Sequence, residues 1–91
     1  MIAKLLLIQG RVQCVGYRDW MVAQAGTLGL SGWVRNKADD MVEALIFGDV
    51  DAVEEMARLC RRGPKLAEVV SIVEEIVNAP AETGFYRRAS I

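Results

Sequence analysis

The spacing of apolar and polar positions divides the chain into short strands and helices. Ala3 to Ile8 is a nearly unbroken apolar run followed by a glycine, which predicts a buried strand. Further on, Tyr17, Met21, Ala25 and Leu28 recur at helical spacing, and Gly29 is placed to end that helix in a left-handed cap. Gly32 to Lys37 and Met41 to Phe47 read as a hairpin around the turn Ala38-Asp39-Asp40, with Val42, Ala44 and Ile46 on one face of the second strand. Asp51 and Glu54 have capping-box spacing. Val53, Met56, Ala57 and Cys60 would then be the buried stripe of a second helix, stopped by Gly63-Pro64. Leu66 to Val77 fits both periods, and its density of valine and isoleucine predicts a strand. A last short strand is expected at Phe85 to Arg88.

This order, strand-helix-strand-strand-helix-strand, predicts an α+β fold of the ferredoxin-like split βαβ kind (βαββαβ). Two helices would pack on one face of a four- to five-stranded antiparallel sheet. The 91 residues suffice for one core and not two, and no repeat or linker divides them, so residues 1–91 read as a single domain. That topology hosts many functions and settles none of them.

Composition narrows the choice. The chain is 53% hydrophobic and 25% charged, and its net charge of −1 comes from 11 basic and 12 acidic residues. Nucleic-acid binding normally needs a basic surplus, so no nucleic-acid partner is expected. The apolar run Leu5 to Ile8 is too short for a signal-peptide core or a membrane span, and no membrane partner is expected. Cys14 and Cys60 are the only cysteines and neither has metal-ligand spacing. No metal and no cofactor is therefore expected, and a reduced cytoplasmic location and a monomeric state are the defaults. Histidine is absent, which removes the commonest general base and any Ser-His or Cys-His dyad.

The stretch Gln9 to Arg18, QGRVQCVGYR, lies between a strand and a helix N-terminus, where free backbone N–H groups and the helix dipole favour an anion. Gly10 and Gly16 allow the chain to bend close to a ligand, and Arg18 in the first helical turn can add a guanidinium fork. Taken alone, such a loop could equally be a simple turn. A P-loop requires G-x-x-x-x-G-K-[ST], and Tyr17-Arg18 after Gly16 does not provide it. Cys14 to Arg18 is C-x3-R, too tight for the C-x5-R loop of a cysteine-dependent phosphatase.

Gly10 to Arg18 resembles the signature of the acylphosphatase family, G-R-V-Q-G-V-x-[FY]-R, at every place but Cys14. The family's second pattern, G-[WFY]-[AVC]-[KRQHIM]-N, is met by Gly32-Trp33-Val34-Arg35-Asn36, and the resemblance extends over essentially the whole chain. It implies hydrolysis of the carboxyl-phosphate bond of a small acyl phosphate, such as acetyl phosphate or an acyl-glycerate phosphate, to carboxylate and inorganic phosphate. Arg18 matches the arginine that binds the phosphoryl group, and Asn36 the asparagine that positions the attacking water. Arg11, Val12, Gln13, Cys14, Val15, Gly16 and Tyr17 match the phosphate-binding loop. Plainer readings stand beside these. Arg11 is as readily a surface charge, Tyr17 the start of an apolar helix face, and Trp20 and Trp33 packing residues. Arg87 and Arg88 read as an exposed strand end, and Cys60 as a small buried hydrophobe.

Cys14 stands where the family pattern has glycine. If the position requires positive φ, cysteine costs on the order of 1–3 kcal/mol there. The thiol could be a tolerated replacement, an oxidisable group beside the anion cradle, or, against the spacing, a nucleophile. The turn at 37–40 also departs, lacking the glycine the family often has near Asp40. Two rivals to the enzyme remain. One is a non-catalytic ferredoxin-like module binding an anion or partner. The other is an RNA-recognition domain, which would need exposed strand aromatics and a basic surface.

Overall fold

The strands and helices follow from which positions each segment must bury. In a computed structural model covering residues 1–91 they are β1 (Ile2–Arg11), α1 (Tyr17–Thr27), β2 (Ser31–Lys37), β3 (Met41–Gly48), α2 (Val50–Cys60), β4 (Glu68–Val77) and β5 (Phe85–Arg87). The sheet runs β4-β1-β3-β2-β5. Both helices lie on one face, α1 over β2 and β5 and α2 over β1 and β3.

Strand alternation assigns the covered face. Leu6 and Ile8 of β1 register against Ala44 and Val42 of β3, and Ala44 in turn against Val34 of β2, all fully buried. Met21 and Ala25 from α1, and Val53, Met56 and Cys60 from α2, close over them, which is the stripe that helical spacing predicted. Tyr17 joins the two helices. Its hydroxyl donates to the Cys60 carbonyl at 2.7 Å, satisfying an acceptor at the end of α2 that has no further turn of helix to serve it. Burial raises the pKa of the Tyr17 hydroxyl and of the Cys60 thiol, pushing the thiol up to about 12, so neither is a reactive acid at neutral pH.

Two expectations change in detail. The sheet is five-stranded but mixed rather than antiparallel. β5 runs parallel to β2, because the 78–84 connection carries the chain from the β4 edge to the opposite edge of the sheet. The second helix starts at Val50 with Asp49 at its N-cap, not with an Asp51–Glu54 capping box, and no side chain caps it. β3 reaches Gly48, so only Asp49 is left for the turn, and Asp51 falls inside the first turn, where its charge faces the positive end of the helix. By contrast, Gly29 adopts φ 69° just beyond α1, and residues 68–77 form the edge strand.

That edge carries a chain of charges. Lys4 of β1 lies between Glu54 of α2, at 3.3 Å, and Glu74 of β4, at 2.9 Å, and Arg61 reaches Glu74 at 3.0 Å. The hydrogen bond from Lys4 holds the Glu74 carboxyl below its usual range, and the same bond raises Lys4 above its usual value. The Glu74 contribution is therefore present above the ordinary carboxylate range and lost as pH falls. The Lys4 contribution is present below the ordinary lysine range and lost only in strong alkali. In Lys4→Met, the urea midpoint should fall less between about pH 6 and about pH 3 than it does in the parent.

Candidate functional site

The loop Val12–Gly16 is fixed at both ends by the sequence that makes it. Val12 is buried in the core, and Val15 packs against it. At Gly10, φ is 131° and the β1–β4 ladder shifts register, so that a Cβ would collide with the Glu68 carbonyl of β4. Only glycine fits there. Gln13 then ties the loop to the hairpin: its Nε2 donates to the carbonyls of Lys37, at 2.9 Å, and Met41, at 2.8 Å. Those two residues close the turn in which Asp39 and Asp40 both take positive φ. The altered turn is thus clamped directly to the loop, and Asn36 lies next to Lys37.

Within the loop the backbone is left open. Gly16 caps α1 at φ 77° with no side-chain cap, and the first N–H to find a backbone carbonyl is that of Trp20, on Gly16 at 3.0 Å. No backbone N–H from Gln13 to Asp19 donates to a backbone carbonyl. Of these residues Cys14, Gly16, Tyr17, Arg18 and Asp19 border a cleft of about 70 Å³, with Asn36 and Arg87 also in its wall. Arg18 is half-buried and has no salt bridge. The Asn36 Oδ1 is buried and accepts no hydrogen bond from the protein. A buried acceptor normally has a partner, so this one stands out in a chain whose other buried side-chain polar atoms are paired.

β2 explains why Asn36 and not its motif neighbours reaches the cleft. Val34 and Asn36 point to the helix-covered side, and Arg35 and Trp33 to the other. There Arg35 pairs with Glu43, its Nη2 at 2.7 Å, and the guanidinium groups of Arg35 and Arg88 lie over the Trp33 ring at 4.9 and 4.7 Å. Trp33 is covered by cations rather than offered as a stacking platform. A larger groove of about 390 Å³ runs beside it, with Glu82 in its wall and no buried, unpartnered polar side chain.

Of the residues singled out in the sequence, Val12, Cys14, Gly16, Tyr17, Arg18 and Asn36 line the cleft. Arg11 and Gln13 border a shallow depression on the loop's other side with Asp40, and Val15 turns into the core. Arg87 is exposed at the end of β5, as expected, and also reaches the cleft wall. Its signal was its parity: it shares a face with Phe85, an inward residue, and a charge at an inward strand position is unusual.

Cys14 has φ 62° and is exposed, so the strain anticipated for a side chain at this position is present. Cys14→Gly should raise unfolding free energy by about 1 kcal/mol, read as a higher urea midpoint at unchanged slope. An unchanged midpoint would mean the loop does not hold this backbone state.

A family model described as acylphosphatase matches residues 4–86. The chain belongs to the acylphosphatase family. It is 60% identical over 90 residues, 99% of each chain, to an acylphosphatase from Acidiphilium cryptum (strain JF-5). Its structure matches that of an acylphosphatase from Bacillus subtilis with a TM-score of 0.88 at 26% identity, covering 96% of this chain and 97% of that one. An acylphosphatase from Coxiella burnetii matches at 0.91 and 26% identity, covering 96% and 92%. The relatives at this coverage establish the enzyme class and the fold, while the roles of single residues rest on the cleft itself.

Proposed function

We propose that this acylphosphatase hydrolyses small acyl phosphates in the cleft between the 12–16 loop, α1 and β2, acting as a single domain with no metal or cofactor. The observation that carries the reading is the conjunction of five residues with unpartnered N–H groups, Cys14 and Gly16 to Asp19, with an unpaired arginine and a buried, unpartnered amide oxygen at one small cleft. The N–H groups and Arg18 hold the phosphoryl oxygens. The Asn36 Oδ1 accepts one hydrogen of the attacking water and aims its oxygen at phosphorus.

The chemistry asks for little else. Water oxygen bonds to phosphorus, the bond from phosphorus to the acyl oxygen breaks, and its electron pair leaves on the carboxylate. A carboxylate leaves readily at neutral pH without a general acid. An amide cannot take a proton, there is no histidine in the chain, and the Asp19 carboxylate is engaged by Arg87, so the water proton passes to a phosphoryl oxygen. Spread of charge over the equatorial oxygens in a loose transition state is met by preorganised N–H donors and a guanidinium. The absence of a membrane-spanning helix and the two free thiols are consistent with action on a dissolved substrate in the cytoplasm.

Phosphate release from benzoyl phosphate by the purified protein tests the reading. Turnover in the parent with loss in Asn36→Ala supports it. A parent that binds inorganic phosphate but releases none from benzoyl phosphate would leave only an anion-binding module.

A further inference from the structure

Arg87 contributes a second guanidinium to the cleft. It lies on β5 opposite Val34 in the parallel ladder, and so on the helix-covered side of the sheet. Its Nη1 donates to Asp19 Oδ1 at 2.6 Å. Asp19 directly follows Arg18 in the first turn of α1, but it is engaged by Arg87, leaving Arg18 free of any carboxylate. With the Arg87 side chain 44% and the Asp19 side chain 72% exposed, their bond contributes little to stability. Arg87 also keeps further N–H donors beyond the one that Asp19 accepts.

We propose that Arg87 is a second anion-binding arginine of this cleft, gripping a phosphoryl oxygen from the β5 side, and that Asp19 is the carboxylate it must share. The assignment rests on the acyl-phosphate reading of the site. One arginine alone faces the phosphoryl group with an excess of negative charge to meet. Two arginines and one carboxylate meet it more nearly while keeping the product phosphate from binding too tightly to leave. Asp19 thereby acts as a built-in competitor that sets phosphate affinity.

Titration of the full chain with inorganic phosphate, followed calorimetrically, tests this, with inhibition of benzoyl phosphate hydrolysis by phosphate measured alongside. Arg87→Ala should weaken phosphate binding about tenfold or more, and Arg87→Lys should recover part of the loss. Asp19→Asn keeps an oxygen to accept from Arg87 but removes the charge, and should tighten phosphate about two- to fivefold. The opposite signs are the signature. A merely structural strut would move both variants the same way, with matching changes in urea midpoint, and that result overturns the proposal. Unchanged phosphate affinity in Arg87→Ala overturns it too, as does a parent that binds no phosphate. If the opposite signs appear in a parent that fails to hydrolyse benzoyl phosphate, the acyl-phosphate reading falls and the Arg87 assignment stands. If the parent turns over without them, the reverse holds.

Discussion

Arg18→Ala should lower kcat/KM for benzoyl phosphate by about 10³-fold or more. Loss of one preorganised donor at a developing charge costs about 10²–10³ in rate, and a guanidinium supplies two such donors together with a full charge. Arg18 is half-buried in a cleft where no carboxylate already balances it, so the whole of its charge is available to the phosphoryl group. The fold does not depend on it, since it makes no salt bridge and lies outside the core, and the urea midpoint should stay close to that of the parent. Steady-state kinetics beside a denaturation curve separate the two effects. A comparable fall in stability would mean that Arg18 acts as a strut.

Gly32→Ala should have the opposite profile, a large loss of stability that takes activity with it. At Gly32, φ is 133°, a conformation that side-chain-bearing residues rarely adopt, and an added Cβ would run into the Leu45 carbonyl across the β2–β3 ladder. Backbone on both sides leaves nothing flexible to yield, because the Gly32 N–H is also bound to the Gly84 carbonyl at 3.0 Å, at the end of the last connection into β5. About 3–5 kcal/mol of destabilisation is expected, a large part of the stability of a small domain. Because Asn36 lies on the same strand, residual folded enzyme should also show a weakened site. Urea denaturation with matched kinetics is the check, and a midpoint near that of the parent would show that β2 can shift to admit a side chain.

Much of this was legible in the chain. Helical spacing placed Tyr17, Met21 and Ala25 on the buried face of α1, and the stripe from Val53 to Cys60 on that of α2, because a packed helix must present one face to the core whatever lies opposite. The two motifs likewise marked Arg18 and Asn36, on elements that the fold brings to a single cleft. What escaped depends on distant partners. The Asp51–Glu54 spacing suited a cap, but β3 extends further than its apolar pattern implies and moves the helix start to Val50. The parallel direction of β5 is set by a crossing of the whole sheet, which no local pattern encodes. Gln13 looked like a wall of the site and proves to be the clamp between loop and hairpin, since its acceptors Lys37 and Met41 lie far along the chain. The inward parity of Arg87 becomes visible only once β5 is seen beside β2.

The central claim, that this cleft holds the phosphoryl group while Asn36 aims water at phosphorus, is tested most directly by the fate of the water oxygen. Benzoyl phosphate hydrolysed by excess enzyme in water enriched in the heavy oxygen isotope should place the label in inorganic phosphate and leave benzoate unlabelled. Label recovered in benzoate would show attack at the carbonyl carbon and would contradict the mechanism.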